Sequence, residues 1–426
     1  MKIPALLRSP VVLILTGLFG ISLLFILMNI ADPTSTNPAA ARFTTAETSL
    51  SGPLYTLDAT GLATSRKLYK EENDSTTELV ENITKKADKA LRDDSPTVTF
   101  KEQTPPSGDR HDYYSLAEYW WPNHKTKSRE PYIRKDGQVN PETKSIPDKT
   151  NFNKLMNDNH HLAVAYYFTN DTKYAQKAAE NIKVWFINPD TRMNPHLKYA
   201  QVIKGVKSTG TGLIDIRNVP QTLDDIRLIQ ASNALDADAG AAVTTWFKDY
   251  LQWLITSPEG KIQAESKNNH ETWYDAQVIA IADYTGQPEI ANAYAAKVQM
   301  LMDKQVEADG IQPEEVDRTR SWKYSTFNLE ALLRASMAAR TTEKDILNHK
   351  NTSKASITTI VSHLAPYASG DKDWPHDQVE QFDVSDIGNA LVQAQYLYAS
   401  DFGVNQKTTR TLDADDIITL AFPSVQ

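Results

Sequence analysis

The sequence predicts an all-α fold of helical hairpins packed side by side. Apolar residues recur at intervals of three and four over most of the chain beyond residue 150. Polar turn and cap residues punctuate these runs, and stretches of alternating polarity are few. The first hairpin is the clearest. Phe152 to Phe168 has helical spacing, and Asp171 to Phe186 repeats it, with Ala178, Ile182, Trp185 and Phe186 on one side. Asn170 and Asp171 between them suit a turn and an N-cap. Further amphipathic stretches follow near 222–235, 239–256, 272–285, 289–307, 326–340, 353–365 and 386–400. Short connections between such helices favour antiparallel neighbours.

The beginning of the chain is of another kind. Val11 to Ile30 is a run of 20 uncharged residues preceded by Lys2 and Arg8. A helix of that length is about 30 Å long, enough to cross a bilayer, and the basic flank places its start in the cytoplasm. Residues 1–30 therefore read as a signal-anchor, or as a signal peptide cleaved near Ala39-Ala40-Ala41. Residues 31–48, rich in Pro, Ser, Thr, Asn and Ala, read as a linker. Residues 49–426 are then a single large domain, exported: membrane-anchored outside the cytoplasm, or periplasmic or secreted if the segment is cleaved.

Composition narrows the function. A net charge of −9 argues against a nucleic-acid partner, which calls for a basic surface. The absence of cysteine removes disulfides, thiol catalysis and cysteine-bound zinc. No His-Glu-x-x-His and no Gly-x-Ser-x-Gly occurs, Gly210-x-Gly212 lacks a third glycine, and adjacent His160 and His161 point about 100° apart on a helix. No metal site or cofactor is expected.

Two long segments interrupt the helical pattern: His111 to Lys149, dense in Pro, Gly, Tyr and Trp, and Asn188 to Pro220, dense in Pro, Gly and Thr. Loops of that length in a compact domain are usually functional. Two further stretches are chemically loaded, Asn268-Asn-His-Glu-Thr-Trp-Tyr-Asp275 and Gln312-Pro-Glu-Glu-Val-Asp-Arg-Thr-Arg-Ser-Trp-Lys-Tyr-Ser-Thr-Phe-Asn-Leu-Glu330. Their Asn, His, Arg and Tyr suit removal of a proton α to a carboxylate. In a uronic acid the C5 proton is weakly acidic because the carboxylate beside it is already negative. Arg and Asn donors can neutralise that carboxylate, a base can take the C5 proton, and an acid can protonate the departing O4. A tyrosine can do both if cationic neighbours lower its pKa. Taken alone, Asn269 reads equally well as a helix cap, His270 as a surface residue, Arg318 as a partner of Glu314 or Glu315, and Tyr324 as core.

Tyr-Ser-Leu-Ala-Glu-Tyr-Trp-Trp-Pro122 and Pro131-Tyr-Ile-Arg-Lys-Asp-Gly-Gln-Val-Asn-Pro141 resemble the N-terminal signature of the alginate-lyase family. Asn-Asn-His-Glu-Thr-Trp-Tyr-Asp275 is similar to its Asn-His motif, and the stretch from Gln312 to Glu330 to its Arg/Tyr motif. The similarity runs from about Tyr113 to about Gly388. It implies an (α/α) toroid or incomplete (α/α) barrel with a long cleft. It further implies that Asn269 and Arg318 neutralise the uronate carboxylate, and that Tyr324 is the acid and, for syn elimination, also the base. His270 is implied as base for the epimeric sugar or as a substrate-positioning residue. Tyr114, Trp120, Trp121 and Arg134 are implied as groove residues, Arg320 as a further substrate contact, and Trp273 and Tyr274 as supports for the Asn-His pair. The Arg/Tyr motif is one residue shorter than in the best-known alginate lyases and resembles the branch with glucuronan-active members. The implied partner is an anionic polysaccharide, alginate or glucuronan.

Two other classes are set against this reading. A non-catalytic uronan-binding protein on the same fold would lack one of Asn269, His270, Arg318 and Tyr324, and all four are present. A glycoside hydrolase needs two carboxylates flanking one bond, and no motif selects Glu271 and Glu314 for that role.

Overall fold

The computed structural model describes residue 50, residues 52–207 and residues 210–424, all within the unit Pro38–Gln426. The apolar run Val11–Ile30 and the linker after it lie outside the described residues. Among the described residues no helix is long and apolar enough to cross a membrane.

The chain opens with α1 (Ala59–Lys70) and α2 (Asp74–Arg92). Three short strands follow, β1 (Tyr114–Leu116), β2 (Trp120–Trp121) and β3 (Ile133–Arg134). Next come α3 (Asp148–Thr169) and α4 (Thr172–Phe186), then β4 (Tyr199–Val202). The middle of the chain forms α5 (Pro220–Ile229), α6 (Ala237–Thr256), α7 (Pro258–Gln263), α8 (Asn269–Tyr284) and α9 (Pro288–Gln305). It ends with α10 (Pro313–Val316), α11 (Ser321–Ala338), α12 (Ile357–Ala368), α13 (Gly388–Tyr398), α14 (Gln406–Arg410) and α15 (Asp416–Ala421).

Local chemistry sets the hairpins. Asn170 ends α3 in the left-handed region at φ 57°, which asparagine tolerates, and Asp171 caps α4 by accepting the Lys173 N–H. The helices predicted from periodicity form within a few residues of their expected limits. The pair α1–α2 was not anticipated. It begins at the cap residues Asp58 and Asn73, each of which accepts a first-turn N–H.

Packing contacts link α2 to α3, α3 to α5, α5 to α8, α8 to α11, α11 to α13, α13 to α15, and α15 back to α2. This sequence of neighbours closes on itself, which makes the domain a helical toroid. The helices α4, α6, α9 and α12 pack outside it, against α3, α8, α8 and α11 respectively. The helices α3, α8 and α11 are buried on nearly all sides. Several of their polar side chains are paired across helices. Gln305 Oε1 accepts from Thr272 at 3.0 Å and from Asn328 at 3.2 Å, and Asn328 also donates to Gln312 at 2.8 Å.

The two long loops are where the strands lie. In the first loop β1 runs parallel to β4 of the second, with Tyr114 opposite Tyr199, while β2 and β3 form an antiparallel hairpin with Trp120 opposite Arg134. The turn after β3 lies against the residues just before α11. Gly137, at φ +73°, allows this: a Cβ there would stand 2.7 Å from Thr319 Oγ1 and 2.9 Å from Val379.

Candidate active site

The Asn-His pair opens α8. Asn268 caps the helix by accepting the His270 N–H at 3.2 Å. Asn269 is buried at the first helical position, where the backbone N–H has no partner within the helix. Glu315 of α10 supplies one. Its Oε1 accepts the Asn269 N–H at 2.6 Å and its Oε2 accepts from Asn269 Nδ2 at 2.7 Å. Burial pushes the Glu315 carboxyl up to about 7, against the two Asn269 hydrogen bonds and Arg318, which pull it down.

Three residues beyond Glu315, Arg318 crosses to the β2–β3 loop. Its Nε and Nη2 donate to Asp136 at 3.2 and 3.1 Å, and its guanidinium carbon lies 4.0 Å from the centroid of the Tyr324 ring. Thr319 Oγ1 and Arg134 add donors to the same carboxylate, at 3.2 and 2.7 Å. Partial burial raises the Asp136 pKa, but Arg318, Arg134 and Thr319 together bring it down to about 2.

Tyr324, partly buried, donates its hydroxyl to the Tyr119 hydroxyl at 2.9 Å. The condition for a tyrosine that acts as both acid and base, a pKa lowered by cationic neighbours, is not met. Burial and Tyr119 raise it, and outweigh the lowering by Arg318. Tyr324 is therefore a neutral phenol, in the form required of a proton donor.

His270 is the complement. Burial first, then Arg318, Arg134 and Arg217, hold its pKa down at about 4, with Asp215 opposing. It is neutral at ordinary pH, and its buried Nδ1 has no hydrogen-bond partner among the described residues. The structure thus joins two segments some 50 residues apart into one constellation: a neutral imidazole, a neutral phenol, a guanidinium and an amide. A carboxylate, Asp136, already occupies the guanidinium.

The remaining residues expected at the site divide. Trp120 and Trp121 lie side by side in β2. Trp120 packs on Ala117, Tyr132 and Ile203, and Trp121 donates to the Gln138 carbonyl at 2.9 Å beneath the Lys135 ammonium, 4.6 Å from its ring. Arg134 is exposed on β3 and reaches Asp136, whereas Tyr114 is partly buried in β1. Arg320 serves as a clasp. It donates to the Gly137 carbonyl, pairs with Glu380 at 2.5 Å and bridges to the Gln378 backbone. Trp273 is buried against Phe327, with the Arg217 guanidinium 5.5 Å from its ring centre. Tyr274 turns away into the core, where its hydroxyl donates to the Leu254 carbonyl at 3.0 Å.

Tyr119 and Asp136 are residues that sequence reasoning passed over, and Glu315, weighed there only as a partner of Arg318, binds Asn269 instead, although all three lie inside the stretches it singled out. Nothing in their spacing marks them, because each meets its partner across more than 40 residues of chain. Among the described residues no group of three or more His, Asp or Glu side chains is arranged to hold a metal ion.

Comparison with known proteins agrees with this geometry. Residues 97–374 match the alginate lyase family. An alginate lyase from Bacteroides ovatus shares 32% identity, with a TM-score of 0.79 over 88% of this chain and 99% of that one. A histidine-to-alanine variant of alginate lyase A1-III, complexed with a tetrasaccharide, shares the fold at 15% identity, with a TM-score of 0.54 over 89% of this chain and 98% of that one. Comparison with curated protein sequences gives no match. The closed ring of helices, the convergent Asn-His and Arg/Tyr segments and the match over residues 97–374 together show that the chain belongs to the alginate lyase family and is a polysaccharide lyase.

Proposed function

We propose that this lyase cleaves a polymer of uronic acids, alginate or glucuronan, by a β-elimination that uses side chains alone. The observation that carries the reading is the pairing of Arg318 with a carboxylate beside Tyr324. Asp136 occupies the position a uronate carboxylate would take, and the sugar displaces it by offering the same charge to the same two N–H groups. Asn269 adds an amide donor. The negative charge that builds on the carboxylate as C5–H breaks is met by donors already in place.

The remaining steps follow from the protonation states. A base takes the C5 proton, the electron pair forms the C4=C5 bond, the C4–O4 bond breaks, and the Tyr324 hydroxyl gives its proton to O4. His270, neutral and without a partner at Nδ1, is the base for a sugar whose C5–H lies opposite O4. For a sugar with C5–H and O4 on the same face, Tyr324 takes the proton itself. That route requires Arg318 to offset the burial and the Tyr119 contact that hold the phenol neutral.

Trp120, Trp121, Tyr114 and Arg134 are assigned to the polymer, through ring faces and one exposed cation. The alginate lyases with which the fold is shared support alginate, and the short Arg/Tyr motif supports glucuronan. The test is incubation with each polymer in the presence of EDTA, followed by NMR of the new chain ends. A C4=C5 double bond is expected, and activity that returns only with added metal would overturn the side-chain-only reading.

A further inference from the structure

We propose that Glu315 is a positioning residue: by accepting the Asn269 N–H and Nδ2–H on its two oxygens, it fixes which way the Asn269 amide faces. The inference rests on the assignment of Asn269 to the substrate carboxylate and adds a residue whose side chain acts through it.

An asparagine amide can turn over about its last side-chain bond, exchanging oxygen for nitrogen. Here the turn is not free. An ionised carboxylate only accepts. Its two oxygens, 2.6 Å from the Asn269 backbone nitrogen and 2.7 Å from Nδ2, tolerate only the orientation that brings Nδ2 to Glu315. The second Nδ2 hydrogen is then left for another acceptor. Both partners are almost wholly buried, Glu315 at 1% exposure and Asn269 at 2%, so no solvent substitutes for either bond.

Glu315 also stands three residues before Arg318, in the α10 segment that leads to the Arg/Tyr turn. One carboxylate therefore registers the amide donor of α8 against the guanidinium that follows α10. The charged groups acting on Glu315 are Arg318, which stabilises its ionised form, and Glu314, which opposes it, while His270 on α8 is held neutral. A proton on Oε2 makes that oxygen a donor. The amide must then present Oδ1 to Glu315, which reverses its hydrogen-bonding face. Burial pushes the carboxyl up to about 7, so the reversal accompanies its protonation around neutral pH.

Glu315→Gln imposes the reversed arrangement at constant size. We expect its kcat/KM on a uronan to fall by roughly 10²-fold, the scale for loss of one preorganised donor. The melting temperature should be retained, and the limb of the pH–rate profile near neutrality should be absent. Glu315→Asp keeps two acceptors at shorter reach and should recover part of the rate. In an Asn269→Ala background, Glu315→Gln should cost little more. Independently of activity, the Asn269 backbone and side-chain amide protons should titrate by NMR near neutrality in the wild type and not in Glu315→Gln. If the amides titrate so but the wild type cleaves no uronan, the assignment of function fails and the positioning stands. Full activity of Glu315→Gln, additive losses in the double variant, or amide protons indifferent to Glu315 would overturn the proposal.

Discussion

The Arg318 guanidinium lies 4.0 Å from the centre of the Tyr324 ring while both its Nε and Nη2 hold the Asp136 carboxylate. One cation therefore faces the proposed proton donor and the proposed carboxylate position together. Arg318→Lys keeps the charge but loses the planar fork and the stack on the ring. Turnover and affinity should both fall, with kcat/KM reduced by about 10²-fold. Steady-state kinetics checks this, and a variant altered only in KM would limit Arg318 to ground-state binding.

Asp136 carries a signature in stability. Its folded pKa of about 2 lies below the ordinary 3.8, so its ionised form is favoured in the native state. The stabilisation is complete above 3.8 and is lost as pH falls through about 2. Solvent reaches the pair, so its size is about 1 kcal/mol rather than the full value of the shift. Denaturant unfolding should show Asp136→Asn less stable than wild type by this amount at pH 5, with the difference shrinking towards pH 2.

His270→Ala tests stereochemistry. It should abolish cleavage of the uronan whose C5–H lies opposite O4, and preserve most cleavage of the other epimer, for which Tyr324 is the base. Because burial and nearby arginines hold His270 at about 4, its ionisation should appear as an acid limb far below 6.5 in Glu315→Gln, where the neutral limb is gone. A limb at 6.5 in that variant would contradict the neutral imidazole.

The run Val11–Ile30 motivates a prediction about the whole chain. Residues 49–426 produced alone should fold and retain full activity in solution, and the intact chain should partition with membranes. Failure of the shorter chain to fold would show that the first 48 residues belong to the catalytic domain.

The helices were legible because a toroid buries one face of each hairpin, and that leaves a 3.6-residue period in α4 and α6. The central α8 and α11 are buried on most sides, so their period is weaker, and the expected stretches 272–285 and 326–340 miss their first three and five residues. Asn269, His270, Arg318 and Tyr324 were singled out through residue chemistry and motif resemblance. Their partners were not, for a physical reason: Glu315 reads as a local partner of Arg318, and Asp136 as a turn residue. Their roles arise only when the ring brings α8, α10 and the β2–β3 loop together. Tyr274, four residues after His270, was expected to support the Asn-His pair, but its hydroxyl donates instead to the Leu254 carbonyl in the core.

The most direct measurement is the ultraviolet absorbance of products formed from poly-mannuronate, poly-guluronate and glucuronan by the wild type and by Tyr324→Phe. The variant keeps the ring beneath Arg318 and loses only the hydroxyl that donates to Tyr119. The wild type should release unsaturated, absorbing ends from at least one polymer, and Tyr324→Phe should release them about 10²-fold more slowly or worse, with melting temperature and substrate affinity little changed. New reducing ends without absorbance, or a Tyr324→Phe enzyme with near-normal turnover, would contradict the account.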